Sequence, residues 1–554
     1  MSLFGYADLH CHPMAHLGFG GATIPISAVT RRLFWGLPDN ARSATPDPVY
    51  CLPCCRPSHL FRQLLPILVD SHHGDGFPRF AWPRHDTVLH QQMYFEWMKR
   101  AWQGGLRLIC ALAVHNRLLA SMFDYPPGTD LSDTAAIRAQ LAEMKRFATR
   151  HGRWMEIVTT ADQARASIVN GKLAVVLGIE VDSLGEWRAP QDTSLPKIEA
   201  LLSSLYDDGV RTITPIHLAN NAFGGCAISD DQFNLLNHFL GQNLRHRFYE
   251  VRRDRVPGVE YRLGTATGPQ VMVNAYLELV RSRPRPDTVE MSYPNYPAMN
   301  PHCSANAEGL SPMGHLFLKA MMKRGMLIDT DHMSELARDE ALTLAERYEY
   351  PVYSSHTALR DLALTRAEAS PVTFAGVAHE GMLTLEQLIR LRNLGGVIAP
   401  MTNLGPTKAH RGLPTTPPRD ERNSSLSWMN AYAYAVEKME GKGGVALGTD
   451  FNGFAKQPGP RFRGDHVIGP STRVLYPTAS GLPEYRLGDR TFNFNEVGLA
   501  HYGLLPDFLV DADNVLPRDK QGENATATLF RSAEAFCVMW RRCEEQSRKL
   551  GNVV

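Results

Sequence analysis

An excess of charge of either sign is missing from this chain: 58 Lys and Arg stand against 57 Asp and Glu, a net of +1. It therefore offers no basic footprint for nucleic acid or an anionic membrane surface. No apolar run nears the roughly 20 residues that cross a bilayer. No charged segment followed by an apolar core opens the chain, so no signal peptide is expected in it. A secretory leader removed earlier would leave the same start, and the compartment is not read from these residues. Internal repeats and low-complexity tracts are also lacking. Cysteine is sparse and odd in number, at nine. Cys110, Cys226 and Cys537 sit singly in apolar contexts and read as small buried hydrophobes. Cys51, Cys54 and Cys55 form a C-x-x-C-C group with no second pair at zinc-site spacing, which leaves a metal site, a disulfide or a plain loop open.

What is present is an ordinary globular composition, 44% apolar and 21% charged. Its 554 residues fit two or three domains, or one α/β barrel with long insertions. Short β-rich apolar runs recur at 4–10, 106–114, 173–180, 211–217, 325–330, 350–356, 395–401 and 443–450, most followed by a helical pattern. Near-continuous apolar strands alternating with helices indicate a parallel sheet covered on both faces. "GLSPMGHLFLKAMMKRGM" has Ser311 as N-cap, Pro312 at the first helical position and Gly325 as the stop. Eight such units predict a (β/α)8 TIM-type barrel spanning 1–554 as a single domain. Stretches at about 18–88, 224–305 and 455–520 break the alternation and follow strand ends, so they are expected as insertions roofing the C-terminal, active-site face. "LFRSAEAFCVMWRRCEE" predicts a closing amphipathic helix whose role is core packing.

The chemistry gathers at the strand ends. "ADLHCHPM" places His10 and His12 one residue apart, on one face of a strand. Later strands end at Glu180 in "LGIE", His217 in "TPIHLANNAFGG", His332 in "LIDTDHMS", His356 in "VYSSHTALRD" and Asp450 in "ALGTDFNGF". Any one alone reads as a hydrogen-bonded loop residue or a cap. Together, at the same end of successive strands, they suit two divalent cations, zinc first, sharing an activated water.

"GLSPMGHLFLKAMMKRGMLIDTDHMS" followed by "PVYSSHTALR" resembles the membrane dipeptidase (renal dipeptidase) family of metallopeptidases, within the amidohydrolase superfamily. "LGIE", "ITPIHLANNAFG" and "GGVALGTDFNG" match its other strand-end motifs in order. The resemblance implies a binuclear hydrolase that cleaves amide bonds of dipeptides or related N-acyl amino acids with a metal-bridging hydroxide. It implies that Glu180 bridges the metals, with His10 and His12 on one and His332 and His356 on the other. His217 would stabilise the oxyanion, and Asp450 would carry a proton to the leaving amine. Arg366, with Arg360 as the alternative, would hold the substrate carboxylate, and Asn221 is a further substrate-binding candidate. The expected partner is a small peptide-like molecule, with a homodimer left open.

Two departures from the family pattern concern specificity. The family opens His-x-Asp, and His12 stands where that Asp is expected. Its usual tyrosine after the seventh strand is replaced in "APMTNLGP", which offers Thr402 and Asn403. "DLHCH" also resembles the polymerase-and-histidinol-phosphatase phosphoesterases, which is the alternative reading. Against it, the last strand ends Gly-Thr-Asp-Phe, not Asp-x-His. A non-catalytic barrel would lack a ligand or Asp450, and neither is missing.

Overall fold

The computed structural model describes residues 3–19, 83–85, 92–117, 120, 129–240, 248–263, 293–369, 376–410, 413, 425–460, 482–483, 485–487, 490–516 and 525–551. Most of the stretch 18–88, including Cys51, Cys54 and Cys55, lies outside the described residues. Strands β1 (Tyr6–Cys11), β2 (Leu106–His115), β3 (Met155–Ile157), β4 (Leu173–Val181), β5 (Val210–Thr214) and β6 (Leu327–Ile328) form one sheet in the order β1-β2-β4-β5-β6, with β3 beside β4. Strands β7 (Ser354–Thr357), β8 (Val397–Pro400) and β9 (Gly444–Val445) form a second. Every pairing in both is parallel. Burial explains why: all nine residues of β4, LAVVLGIEV, are buried, as expected of a strand covered on both faces.

Parallel bridges join the two sheets at both edges, Asp329 to Tyr353 on one side, and Asp8 and Cys11 to Leu447 and Phe451 on the other. The Leu9 N–H donates to Leu447 O at 2.8 Å, and the Thr330 N–H to Tyr353 O at 3.0 Å. The parallel sheet is therefore curled. The eight expected strands are all present, but two are short. Only Leu327–Ile328 and Gly444–Val445 join the ladders in the runs 325–330 and 443–450. Past those pairs Asp329, Leu447 and Gly448 make single parallel bridges, and the backbone turns left-handed at His332 (φ 64°) and Asp450 (φ 50°). Strand β3 was not among the expected runs; its three residues carry too little periodicity to register.

The intervening helices are capped as their sequences predict. Ser311 accepts the Gly314 N–H at 3.0 Å ahead of Pro312–Lys323, and Gly325 stops that helix with φ 67°. Ser132, Thr160, Ser334 and Thr384 cap other helices in the same way. The closing helix, Ser532–Gly551, packs on β1 and on the helices Ala161–Val169 and Pro312–Lys323, burying Ala533, Phe536, Cys537 and Trp540. Leu529 and Phe530 belong to a short 3-10 turn ahead of it, Leu529–Arg531.

Gly178 shows how tightly the sheet is packed. It pairs with Leu112 on one side and Thr212 on the other. A Cβ there would stand 2.3 Å from Leu112 Cδ2 and 2.5 Å from Thr212 Cγ2. Overpacking of this kind costs about 1–3 kcal/mol. Gly178→Ala is expected to lower the urea midpoint accordingly, and an unchanged midpoint would show that the strands have room to part.

Candidate metal centre

Glu180, 2% exposed near the end of β4, is the point on which four imidazoles converge. Its Oε2 lies 3.0 Å from His10 Nε2 and 3.3 Å from His12 Nε2. Its Oε1 lies 3.2 Å from His332 Nε2. His332 Nε2 in turn stands 2.8 Å from His356 Nε2. One oxygen of the carboxylate thus faces His10 and His12, and the other faces His332, with His356 behind it. Asp450 Oδ1 completes the first group, 3.1 Å from His12 Nε2 and 3.9 Å from His10 Nε2. The donor atoms of His10, His12 and Glu180, and those of Glu180, His332 and His356, lie within 4.8 Å of one another in each set. A third such set, His10, Asp329 and His356, gathers around the Ser355 hydroxyl.

The surrounding polar groups aim the rings. Ser355 Oγ donates to Asp329 Oδ2 at 2.6 Å and stands 2.8 Å from Nδ1 of both His10 and His356. His12 Nδ1 donates to Leu112 O at 3.1 Å. With Nδ1 engaged behind, Nε2 is the nitrogen presented to the centre on each of these rings, the arrangement in which histidine ligates a metal. Asp331 accepts the His356 backbone N–H and the Ser354 hydroxyl at 2.7 and 2.6 Å. Asp8 accepts the His10 N–H, the Thr449 hydroxyl and the Tyr502 hydroxyl at 3.2, 2.7 and 2.8 Å, tying β1 to the loop that carries Asp450.

A divalent cation fits these donors. Two imidazole Nε2 atoms 2.8 Å apart repel unless a proton or a cation lies between them. The Glu180 Oε1 oxygen beside them is buried and has no hydrogen-bond partner of its own among the described residues. The electrostatics agree. Burial alone would depress His10, yet Glu180 outweighs it and lifts that imidazole to about 9. Burial works against the Glu180 charge, but His10 and His217 hold the carboxyl well below its usual range. His356, buried and beside His10 and His332, is pushed well below the ordinary imidazole value. The site favours charge on the carboxylate and a bare nitrogen on His356, while His10 holds a proton that a bound cation would have to displace.

Backbone strain collects here as well. His332 and Asp450 both occupy the left-handed region, which side chains with a Cβ rarely adopt. Gly453 lets the chain close over Asp450, since a Cβ there would lie 1.7 Å from Asp450 Oδ1 and 3.0 Å from His12 Cδ2.

His217 stands beside this cluster, its Nε2 3.8 Å from Glu180 Oε1. The structure commits two other expected residues elsewhere. Asn221 donates to Asp182 O and Pro215 O at 3.1 and 2.9 Å and accepts the Phe223 N–H at 2.9 Å, so its amide holds the loop after β5 and is not presented to substrate. Arg360 is paired with Glu335 and donates to Glu380 O and Met382 O. Arg366 is half-buried on the following loop, within electrostatic reach of Arg262. A cavity of about 520 Å³ opens between the ends of β7 and β8, lined by Ala358, Leu359, Met401, Asn403, His379 and Arg262 among others. Thr402 is buried and donates to Gln457 at 2.8 Å. Asp8, Asp182, Asp329, Asp331 and Ser355 were missed from sequence. The signal was their spacing: Asp8, His10 and His12 alternate along one strand face, as do Glu180 and Asp182.

No family model matches the chain, and no curated protein matches it. Several solved structures are similar to it. The dipeptidase AC, a metallopeptidase, is 14% identical with a TM-score of 0.42, over 81% of this chain and 89% of that one. The probable dipeptidase PvdM from Pseudomonas aeruginosa is 12% identical with a TM-score of 0.45, over 81% and 88%. A metallopeptidase from Rhodobacter sphaeroides, liganded with a phosphinate mimic of the dipeptide L-Ala-D-Ala, is 14% identical with a TM-score of 0.37, over 66% and 78%. Overlap at these scores is loose, and the chemistry of the site rests on its own side chains.

Among the described residues, Ser355 is the one hydroxyl in contact with both His10 and His356. Removing a group that orients ligands typically costs about 10–100-fold in metal affinity. Ser355→Ala is expected to show a loss of that size in chelator competition, with an unchanged circular dichroism spectrum. Affinity equal to that of the unmodified protein would mean that the rings are oriented by packing alone.

Proposed function

We propose that this chain is a binuclear metal-dependent hydrolase of the membrane dipeptidase type, cleaving amide bonds of dipeptides or N-acyl amino acids. The observation that carries the reading is the division of Glu180, one oxygen against His10 and His12 and the other against His332, whose Nε2 in turn meets His356. We further infer that the curled sheet is a complete (β/α)8 barrel, single across the chain. The bridges at both sheet edges support that closure. His10, His12 and Glu180 would hold one divalent cation, and Glu180, His332 and His356 a second, zinc being the first candidate for these nitrogen and oxygen donors. Bound there, the cations would polarise the amide carbonyl and acidify water.

The chain's own residues supply the rest. Asp450 Oδ1, held 3.1 Å from His12 and 14% exposed, reaches both the cluster and the open mouth. It takes the proton from the attacking water and returns it to the leaving amine. His217 Nε2 faces the mouth beside Glu180 and receives the carbonyl oxygen as charge develops on it. The cavity between β7 and β8, lined by apolar side chains together with Arg262, His379 and Asn403, would receive the substrate's body. With Arg360 paired to Glu335, Arg366 is the remaining member of the expected pair for the substrate carboxylate. The phosphoesterase reading is not favoured: the loop after β9 presents Asp450 alone to the cluster, without a following histidine.

A panel of L-Ala-D-Ala, L-Ala-L-Ala, N-acetyl amino acids and p-nitrophenyl phosphate tests this reading, with metal content measured alongside. Turnover of amide substrates is expected, abolished by chelation and restored by zinc, at about two metal equivalents. Glu180→Gln is expected to lose both metal and activity. Asp450→Asn is expected to keep metal and lose about 100-fold or more in kcat. Phosphoester turnover alone, or amide turnover that survives chelation, contradicts the proposal.

A further inference from the structure

One polar row lies just beyond Glu180 and is not used by the cluster itself. Asn116 follows the end of β2, Asp182 follows the end of β4, and His217 follows the end of β5, three strands that are neighbours in the sheet. Asn116 Nδ2 donates to Asp182 Oδ2 at 2.7 Å. Asp182 Oδ1 accepts the Leu218 N–H at 2.8 Å and lies 3.3 Å from His217 Nδ1. All three side chains are buried, Asp182 being 1% exposed.

The alternation of β4 explains the placement. Residues two apart on a strand share a face, so a chain that turns Glu180 toward the cluster turns Asp182 to the same side, one step nearer the mouth. Asn221 fixes that step from behind by donating to the Asp182 carbonyl at 3.1 Å. Asp182 therefore has its two oxygens held by Asn116 and by the Leu218 backbone, with the second of these also facing His217. The Asp182 oxygen meets Nδ1 as an ion-pair contact outside hydrogen-bond geometry, with Nε2 turned toward Glu180.

We propose that Asp182, braced by Asn116, is a positioning residue for His217: it fixes the imidazole so that Nε2 meets the carbonyl oxygen of the substrate. The assignment rests on the hydrolase reading above for its kinetic consequence, but the ring's orientation can be read without turnover. It gives the sequence "GIEVDS" a second function beyond its metal-site glutamate. The arrangement parallels the general case of a base oriented by a third group.

The test compares Asp182→Asn, Asn116→Ala, His217→Asn and the double variant Asp182→Asn/His217→Asn in the metal-loaded protein. Asp182→Asn is expected to lower kcat about 30-fold, with KM within twofold and metal content and thermal midpoint unchanged. Asn116→Ala is expected to lower kcat about threefold, a milder change that covers the case in which Asp182→Asn fails to fold. The double variant is expected to be no slower than His217→Asn, because Asp182 acts through that ring. Nitrogen NMR of the histidine rings supplies the readout independent of activity: the Nδ1 resonance of His217 is expected to move in Asp182→Asn while those of His10 and His356 hold. An unmoved His217 resonance overturns the proposal even if no peptide is cleaved. So does kcat within twofold of the unmodified enzyme, or a double variant whose losses multiply.

Discussion

A single buried carboxylate organises this molecule. Glu180 sits where an unpaired charge would cost several kcal/mol, so it is stable only while cations or imidazolium groups surround it. The chain supplies those partners from three separate strand ends, at positions 10 and 12, 332 and 356. None of them is a sequence neighbour of Glu180. The fold must close before the charge is compensated, and the strand order that closes it determines which imidazoles arrive. Packing and chemistry are therefore the same problem here: curling the sheet brings the ligands together, and without a cation the converging nitrogens and carboxylate oppose one another.

The strands were legible because parallel sheets bury both faces and write themselves as apolar runs; LAVVLGIEV and LRLICALAVH need no other evidence. The site residues were legible because they end those runs. What could not be read was how each polar side chain is employed. Asn221 and Arg360 have the residue types and near spacing of substrate contacts, yet backbone carbonyls and Glu335 take their donors. Which neighbour claims a donor depends on loop conformation, and loop conformation leaves little trace in periodicity. The Asp8, Asp329 and Asp331 carboxylates were overlooked for the opposite reason. They stand in the same motifs as the histidines, but their partners, Thr449, Tyr502 and Ser355, are distant in sequence or carry no distinctive pattern.

That outer layer accounts for the unusual backbone. Left-handed φ at His332 and Asp450 costs about 1–3 kcal/mol at each position and persists only where surrounding contacts over-determine it. Around His332, Ala227 N–H donates to its carbonyl at 2.7 Å and its ring is held between Glu180 and His356. Around Asp450, its own N–H donates to His10 O at 2.8 Å while Thr449 is bonded twice to Asp8. The strained residues are thus those clamped by β1 and by the cluster. Extended geometry at either position would carry the side chain along the strand and away from Glu180.

The imidazole at position 12 fits the same accounting of charge. A carboxylate at position 12 would stand on the side of β1 that faces Asp450, whose Oδ1 now lies 3.1 Å from His12 Nε2. Two carboxylates in close contact cannot both be ionised without a cation between them. With an imidazole the approach is attractive or neutral, and Asp450 can be drawn toward β1 before any metal arrives. Gly453, which leaves room for Asp450 Oδ1 where a Cβ would collide with it, permits the same approach from the other side. His12 therefore lowers the dependence of the Asp450 loop on bound metal and leaves Glu180 as the shared carboxylate between the two histidine pairs. The pair of imidazoles at the start of the chain thus meets both Glu180 and Asp450, and ties the loop after β9 to β1.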